Sequence, residues 1–166
     1  MDTILNRKSI RKYKDIKISD EIVEELLRAG MAAPSAGNEQ PWEFIVLRNK
    51  ELMKKITEVH PYSKMLLNTD VAIVVCGDEA KEVFKGYWVQ DCSAATENIL
   101  LAAEAKGLGA VWLGVYPLAD RVEAIKELLN LPAGVIPLSI VPVGYPDEQR
   151  KASDRFDKTR IHYDRW

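Results

Sequence analysis

The six-residue run VAIVVC, from Val71 to Cys76, constrains the fold more than any other segment of the chain. It is bounded by Asp70 and Gly77 and contains no polar or charged residue. A continuous apolar, β-branched run of this length is typical of a strand that is covered on both faces, because a strand with one wet face alternates apolar and polar residues. The run therefore predicts a central strand in a sheet that is flanked by helices.

The patterns around this run predict an α+β fold in which helices pack on a mixed β-sheet. Helices are predicted at residues 19–33, 50–59, 87–106 and 120–131, and further strands at 42–48, 110–115 and 137–146. The helix at 87–106 carries an apolar stripe rich in small residues, which lets another helix approach closely and predicts a central position. Pro142 interrupts the last strand and predicts a sheet edge or a bulge at that point.

Length and composition limit the class of protein. At roughly 150 residues per domain, the 166 residues predict a single domain over 1–166. The net charge of −2 provides no overall basic field for nucleic acid. Cys76 and Cys92 each lie in an apolar run, which indicates buried thiols and a reducing compartment. Without an apolar stretch of signal-peptide or membrane-span length, the chain is interpreted as cytoplasmic, with no membrane partner.

Side chains that could catalyse a reaction without a cofactor are scarce. The segment GLGAVWLG at 107–114 resembles a dinucleotide-binding loop, but Trp112 occupies the third glycine position and the segment precedes a strand instead of following one. His60 and His162 lack zinc-ligand spacing with the cysteines, and no serine has an evident histidine partner. We therefore assign no catalytic residue and no metal site, and a bound cofactor would explain this absence.

Cations cluster near both ends of the chain. Three cations and a hydroxyl lie within five residues near the N-terminus, and two cations lie on alternate positions near the C-terminus: Arg7, Lys8, Ser9 and Arg11, and Lys158 and Arg160. Fixed cations, a hydroxyl donor and free N–H groups bind organic phosphates. Residues two apart in an extended segment point the same way, so Lys158 and Arg160 could hold one group together. Solvated surface is the alternative interpretation of both clusters.

A flat slot with a polar edge is predicted at the end of the strand at 110–115. Trp112, Leu113 and Gly114 lie there, and glycine allows a ligand to approach the backbone closely. A planar conjugated ring needs such a slot and backbone hydrogen bonds along its edge.

The C-terminal residues 147–166 have neither a helical nor a strand period and carry aromatic side chains among charges. Such an arm, when extended, reaches about 65 Å and could cross a neighbouring subunit. A tail folded back on its own domain is the alternative.

Four stretches resemble the FMN-dependent nitroreductase family and occur in the family's order: RKSIRKY (7–13), APSAGNEQPWEFIV (33–46), DCSAATENILLAAEAKGLGAVWLGVYP (91–117) and KTR (158–160). The resemblance spans nearly the whole chain. It implies a domain-swapped homodimer with FMN at the subunit interface and a C-terminal arm that wraps the partner. It also implies that NAD(P)H donates hydride to FMN and that a small nitroaromatic or quinone acceptor then takes it in a ping-pong reaction.

The resemblance also implies a set of FMN contacts. The cofactor-binding residues are expected to be Arg7, Lys8, Ser9, Arg11, Pro34, Ser35, Asn38, Leu113, Gly114, Lys158 and Arg160. The first three hold the phosphate and ribityl chain, and Arg11 meets the pyrimidine end of the flavin. The residues between 34 and 38 approach the ring from the partner subunit. The two strand residues offer backbone N–H groups near N5 and O4, and the last two cations close on the phosphate.

Alternatives remain at the level of single residues and of function. Ser9 could cap a helix, Ser35 and Asn38 could only shape a turn, and Trp42 and Trp112 are interpreted as core residues. The chain is short for this family, which implies an open substrate pocket or one covered by different residues. A flavin-storage or sensor protein without turnover, a dehalogenating or flavin-fragmenting relative, and a structural domain without cofactor are the alternative functions.

Overall fold

A five-stranded sheet with helices on both faces forms the centre of the computed structural model, which describes residues 1–166. The helices are α1 (Asp2–Asn6), α2 (Asp20–Met31), α3 (Lys50–Val59), α4 (Trp88–Ala105) and α5 (Ala119–Leu129). The strands are β1 (Trp42–Leu47), β2 (Val71–Asp78), β3 (Gly109–Ala110), β4 (Leu113–Gly114) and β5 (Val135–Gly144). The predicted α+β architecture is confirmed, and the short α1 was not expected.

Strand β2 lies inside the sheet, between β1 and β5, and pairs with both in antiparallel register. Its side chains alternate between two cores. Val71, Ile73 and Val75 pack with residues of α2 and α4 on one face. Ala72, Val74 and Cys76 pack with residues of α3 and α5 on the other. This double burial is the reason that the run contains no polar residue.

The edge or bulge predicted at Pro142 is wrong, because β5 lies between β2 and the strands β3 and β4. The irregularity in the pairing of β2 with β5 lies between Val75 and Cys76, away from the proline. The strand predicted at 110–115 is instead two short strands, with a break at 111–112 that falls opposite Val141 and Pro142 in the register. Because proline has no N–H to donate, a break beside it loses no hydrogen bond from its nitrogen.

The turn after α4 directs the chain into β3. Gly107 has a left-handed backbone, with φ +69°, and its N–H donates to the Glu104 carbonyl at 3.0 Å. The Leu108 N–H donates to the Ala103 carbonyl at 2.8 Å, which closes the last turn of the helix. This termination leads the chain directly into the short strands at 109–114 that line the candidate site.

Both cysteines are buried and free, as predicted. The Cys92 thiol lies 3.4 Å from the Cys76 carbonyl oxygen. Burial raises the pKa of each thiol to about 12, so neither is a thiolate near neutral pH.

The chain after Pro146 contains no helix or strand, apart from a 3₁₀ turn at Lys158–Arg160. Almost all of its residues are exposed, including Phe156, Tyr163 and Trp166. The extended conformation expected at Lys158 and Arg160 is wrong, because the Asp157 carboxylate accepts hydrogen bonds from the Thr159 N–H and hydroxyl and closes the turn. No helix in the structure combines the length and the apolar character needed to cross a bilayer.

Candidate functional site

Three cavities lie along the basic segment at the N-terminus, and two of them share Arg11. The larger of these two has a volume of about 750 Å³ and is lined by residues between 4 and 11 and by residues 150–156 of the tail. The smaller has a volume of about 420 Å³ and is lined by Arg11, His60, Tyr62, Met65, Trp112, Leu113, Gly114 and Arg121. Because Arg11 lines both, the two cavities can accommodate the two ends of one elongated ligand.

The larger cavity is strongly cationic. Its lining includes six cations and a single carboxylate: Arg7, Lys8, Arg11, Arg150, Lys151 and Arg155, and Asp154. Ser9 and Ser153 add two hydroxyl groups. The predicted N-terminal cluster is therefore brought together with cations of the tail, and this set of donors suits a phosphate.

Helix α4 supplies carboxylates to two of these cations. Arg7 Nε lies 3.4 Å from Glu97 Oε1, and Lys8 Nζ lies 3.0 Å from Glu104 Oε1. All four side chains keep some exposure to solvent. These ion pairs hold the N-terminal segment against α4 and also reduce the charge that Arg7 and Lys8 can offer to an anion.

Arg11 is arranged differently. Its backbone N–H donates to Glu148 Oε1 at 2.5 Å, and this hydrogen bond lowers the pKa of the Glu148 carboxyl. Glu148 Oε2 in turn pairs with Arg150 Nε at 2.9 Å. The Arg11 guanidinium forms no ion pair, so its charge is free to act in both cavities.

Gly114 presents open backbone to the smaller cavity. A Cβ atom built on this glycine would have no other atom within 4 Å. The N–H of Val115 donates to the Leu138 carbonyl in β5, and residues two apart in a strand point their N–H groups to the same side. The N–H of Leu113 therefore points toward β5, whereas that of Gly114 points away from it. The structure brings one of the two predicted N–H donors to the cavity.

Two side chains hold the Gly114 carbonyl oxygen from the cavity side. His60 Nε2 lies 3.0 Å from it, and Arg121 Nη1 donates to it at 3.1 Å. His60 Nδ1 accepts from the Tyr62 N–H at 3.3 Å, which places the imidazole proton on Nε2. Burial, assisted by the positive charge of Arg121, lowers the pKa of His60 and favours this neutral form. The guanidinium of Arg121 also lies 5.5 Å from the centre of the Tyr62 ring.

The loop with Pro34, Ser35 and Asn38 lies away from both cavities and lines neither in this single chain. Pro34 and Asn38 are exposed. Ser35 Oγ accepts from the Gln40 N–H, and Asn38 Oδ1 accepts from the Gln40 side chain, each at 3.0 Å. Asn38 and Gln40 both have a left-handed backbone, with φ of 59° and 49°. Such strain in residues other than glycine is concentrated at functional loops.

The carboxylates below this loop share an unusual environment. Asp91 Oδ1 accepts from the Ala36 N–H at 3.1 Å, and Glu39 Oε2 accepts from the Val83 N–H at 2.6 Å. Asp91 Oδ2 and Glu39 Oε1 are buried without a hydrogen-bond partner. Burial, and the neighbouring Glu39, raise the pKa of Asp91. These contacts fix the loop to the start of α4.

Lys158 and Arg160 also line neither cavity in this single chain. Both are exposed, and Arg160 Nε lies 3.3 Å from Asp157 Oδ2 within their own turn. The structure therefore brings together six of the predicted contact residues and leaves the loop residues and the two C-terminal cations elsewhere. The six are Arg7, Lys8, Ser9, Arg11, Leu113 and Gly114, with Arg11 in both cavities.

Sequence reasoning missed part of the smaller cavity. From the sequence, His60 is assigned no role and Trp112 is interpreted as core, but both line this cavity, and Trp112 packs against the core as well. Tyr62 and Arg121 were not singled out. The signal for Arg121 was its place in the first turn of the helix that follows WLGVYP, which returns to the edge of the slot.

A basic cavity that leads to an open strand edge, on a helix-flanked sheet, offers donors suited to a phosphate and an open backbone edge suited to a planar ring. Comparison with known proteins gives the family. The family model described as "Nitroreductase family" matches residues 4–60 and 58–145. The chain belongs to the nitroreductase family.

Individual relatives agree with this assignment. A protein of Methanothermobacter thermautotrophicus, provisionally named an NADH dehydrogenase/NAD(P)H nitroreductase, is 52% identical over 100% of this chain and 87% of its own length. A crystal structure from Parabacteroides distasonis with the same provisional name is 47% identical, with a TM-score of 0.96 over 99% of this chain and 97% of that one. An FMN-dependent nitroreductase of Clostridium difficile is 31% identical, with a TM-score of 0.92 over 100% of both chains.

Proposed function

We propose that this chain is an FMN-dependent oxidoreductase that passes hydride from NAD(P)H to nitroaromatic or quinone acceptors. The class of enzyme, an NAD(P)H-dependent flavin oxidoreductase, follows from the family and from the relatives. The observation that carries the proposal for this chain is the pair of cavities joined at Arg11, one cationic and one flat with an open backbone edge.

The phosphate of FMN would be held in the larger cavity. Its six cations and two hydroxyl groups are the donor set that an organic phosphate requires. Arg7, Lys8 and Ser9 would contact the phosphate and ribityl chain. Lys158 and Arg160 would close on the phosphate if the exposed tail changes its position on binding or on dimerisation.

The ring would lie in the smaller cavity, against the β4 edge. The Gly114 N–H would donate to the polar edge of the ring near N5 and O4, and Leu113 would line the slot beside it. His60 and Arg121 hold the peptide of Gly114 in place through its carbonyl. Arg11 would place a positive charge at the pyrimidine end, where negative charge accumulates on reduction.

FMN held there would supply the redox chemistry, by accepting hydride from NAD(P)H and, after the nicotinamide has left, giving it to the acceptor in a ping-pong reaction. The chain itself would bind, orient and leave one face of the ring accessible to each substrate in turn. No side-chain acid is assigned, because water can supply the remaining proton.

A domain-swapped homodimer would complete the site. The loop at 34–40 is exposed and strained, and its Pro34, Ser35 and Asn38 would approach the ring bound to the partner subunit. Apolar side chains on α1 and on the arm at 147–166 are also exposed, among them Ile4, Leu5, Phe156, Ile161 and Trp166. Burying this surface against a second chain would offset the cost of ordering the arm.

The first experiment is the absorption spectrum of the purified protein, before and after incubation with FMN, combined with light scattering to measure its mass. We expect a yellow dimer with one FMN per chain. Anaerobic addition of NADH or NADPH should bleach the flavin absorbance, and menadione or nitrofurazone should restore it and sustain NAD(P)H consumption.

The alternatives give different results in the same assay. Bound flavin that NAD(P)H bleaches, but that sustains no acceptor reduction, would favour storage or sensing. Halide released from a halogenated phenol, or oxygen-dependent loss of the flavin itself, would place the chain with the dehalogenating or flavin-fragmenting enzymes. A colourless monomer that takes up no FMN would overturn the proposal.

A further inference from the structure

One cation of the smaller cavity is assigned no direct contact with the flavin. Arg11 is assigned to the pyrimidine end of the ring, but Arg121 also lines the cavity, from the first turn of α5. None of the eight lining residues is an aspartate or a glutamate. The smaller cavity, here called the ring-side cavity, therefore has more positive charge than a flavin contact at Arg11 accounts for.

Arg121 is held in a defined position and keeps most of its donors free. Nη1 donates to the Gly114 carbonyl at 3.1 Å, and the guanidinium lies over the Tyr62 ring at 5.5 Å. A guanidinium has five N–H donors, of which this contact uses one. Arg121 forms no ion pair, and the nearby Glu123 is paired instead with Lys126. The remaining donors can reach a ligand in the cavity.

The other titratable groups around the cavity do not cancel this charge. His60 is neutral near pH 7, because burial and Arg121 both lower its pKa. Trp112, Met65 and Tyr62 supply aromatic and apolar surface. The cavity thus combines a flat apolar wall with a fixed cation at one end, which is the chemistry that recognises an aromatic ring bearing an anionic substituent.

We propose that Arg121 determines acceptor specificity, by favouring aromatic electron acceptors that carry a carboxylate over neutral acceptors of the same shape. This inference rests on the proposed function, because it places the acceptor beside the ring-side cavity. The guanidinium would pair with the carboxylate of the acceptor and orient its ring in the slot. Arg121 transfers neither hydride nor proton.

A binding experiment tests this without turnover. Isothermal titration calorimetry would compare benzoate with benzamide, which has the same shape and no charge, on the FMN-loaded wild type and on Arg121→Gln and Arg121→Lys. Arg28→Gln is the control, because Arg28 pairs with Glu24 on the exposed face of α2. We expect Arg121→Gln to weaken benzoate binding about 5-fold to 10-fold, the range for a charge-assisted contact that is partly open to solvent.

The other variants sharpen the result. Arg121→Lys keeps the charge and should recover at least half of the loss on a logarithmic scale, and benzamide affinity should stay within about 2-fold in every variant. Failure of the wild type to bind benzoate more tightly than benzamide would overturn the inference. So would an equal loss for both ligands in Arg121→Gln, since that would show that Arg121 acts only through the position of Gly114.

A kinetic arm separates this inference from the proposed function. The ratio of kcat/KM for 4-nitrobenzoate to that for 4-nitrobenzyl alcohol should fall about 5-fold in Arg121→Gln. The ratio cancels any effect that loss of the Gly114 contact has on both acceptors alike. A wild type that reduces neither compound contradicts the proposed function, and the calorimetric comparison still decides the role of Arg121. A wild type that reduces both, with a ratio that Arg121→Gln leaves unchanged, contradicts the inference alone.

Discussion

The two cavities of the candidate site are built on different kinds of structure. The ring-side cavity is formed by the edge strand β4, by a buried histidine after α3 and by the first turn of α5, all anchored in the core. The larger cavity is formed by the half-buried segment at 7–9 and by tail residues 150–156, which are exposed and irregular. One part of the site is therefore preformed by the fold, whereas the other depends on two terminal segments.

This difference suggests a division of labour. Orientation of a ring requires fixed donors, and Gly114 has them because β5, His60 and Arg121 all hold its strand. Capture of a phosphate requires charge more than exact placement, and the exposed cations of the tail can supply it. The comparison predicts that mutations at the ring side change the fold or the geometry, and that mutations at the termini change affinity alone.

The largest effect is expected where the ring-side cavity meets the core. Ile140 lies in β5 opposite Leu113 and is fully buried, so Ile140→Ala should lower the free energy of unfolding by about 2–5 kcal/mol. Phe156→Ala is the matched change in the tail, where the Phe156 side chain is 70% exposed. This substitution should lower the free energy of unfolding by less than about 0.5 kcal/mol. Urea unfolding at protein concentrations that favour the monomer measures the free energy of unfolding of both variants. Similar losses in the two variants would abolish the contrast.

The next effect separates geometry from stability at the ring side. Gly114→Val places a side chain in open space, so the melting temperature should change little. The same side chain would occupy the slot expected to hold the ring, and FMN affinity should fall by about 100-fold, or about 2.7 kcal/mol. Fluorescence titration with FMN measures the affinity, and Gly114→Ala should give a smaller loss. An unchanged FMN affinity in the valine variant would mean that the ring does not bind beside Gly114.

The same contrast explains what the sequence could predict. The long helices and β2 were predicted within one to a few residues, because burial on one or both faces leaves a periodic or continuous apolar pattern. The break at 111–112 was not predictable, because it depends on pairing with Pro142, some 30 residues away. Local patterns carry little information about such pairings.

The same limit applies to the candidate site, where only residues close together in sequence could be predicted as a cluster. The cluster at 7–11 was visible because its charges are adjacent in sequence, whereas Arg121 and His60 meet at Gly114 only through the fold. The turn at 158–160 was missed although Asp157 and Thr159 have the spacing of a side-chain-capped turn. The positions of the loop at 34–40 and of the arm relative to a partner depend on a second chain.

Two cation variants test whether the termini act in the way that the larger cavity suggests. Arg11→Ala should weaken FMN binding by about 1–3 kcal/mol, the range for a charge-assisted hydrogen bond. Lys158→Ala should have a comparable effect only if the arm closes on the phosphate, because Lys158 is exposed in the single chain. Lys12→Ala is the control, an exposed cation of the same segment that lines neither cavity.

Fluorescence titration with FMN at two protein concentrations, one favouring dimer and one favouring monomer, separates the two contributions. The effect of Arg11→Ala should persist at both concentrations, while that of Lys158→Ala should appear with the dimer. Affinity that is unchanged in both variants would count against FMN in these two cavities.

The smallest effect concerns pH and tests how firmly the ring side is preformed. Burial and Arg121 lower the pKa of His60 in the folded chain, so the unfolded chain binds a proton near its ordinary pKa of about 6.5 while the folded chain does not. Stability from this group is therefore complete above that pKa and is lost as the pH falls toward the lowered value. A protonated Nδ1 could also no longer accept from the Tyr62 N–H.

His60→Asn removes this titration while the other ionising groups stay the same. These include Asp91, whose pKa is raised by burial and which acts with the opposite sign, so that its stabilising effect is lost as the pH rises. The wild type should exceed the variant in free energy of unfolding at about pH 7.5, and the excess should shrink toward about pH 5.5. Urea unfolding across this range measures the difference. An excess in free energy of unfolding that stays constant would mean that His60 is free to protonate in the folded chain. The ring-side cavity would then be as adaptable as the larger cavity.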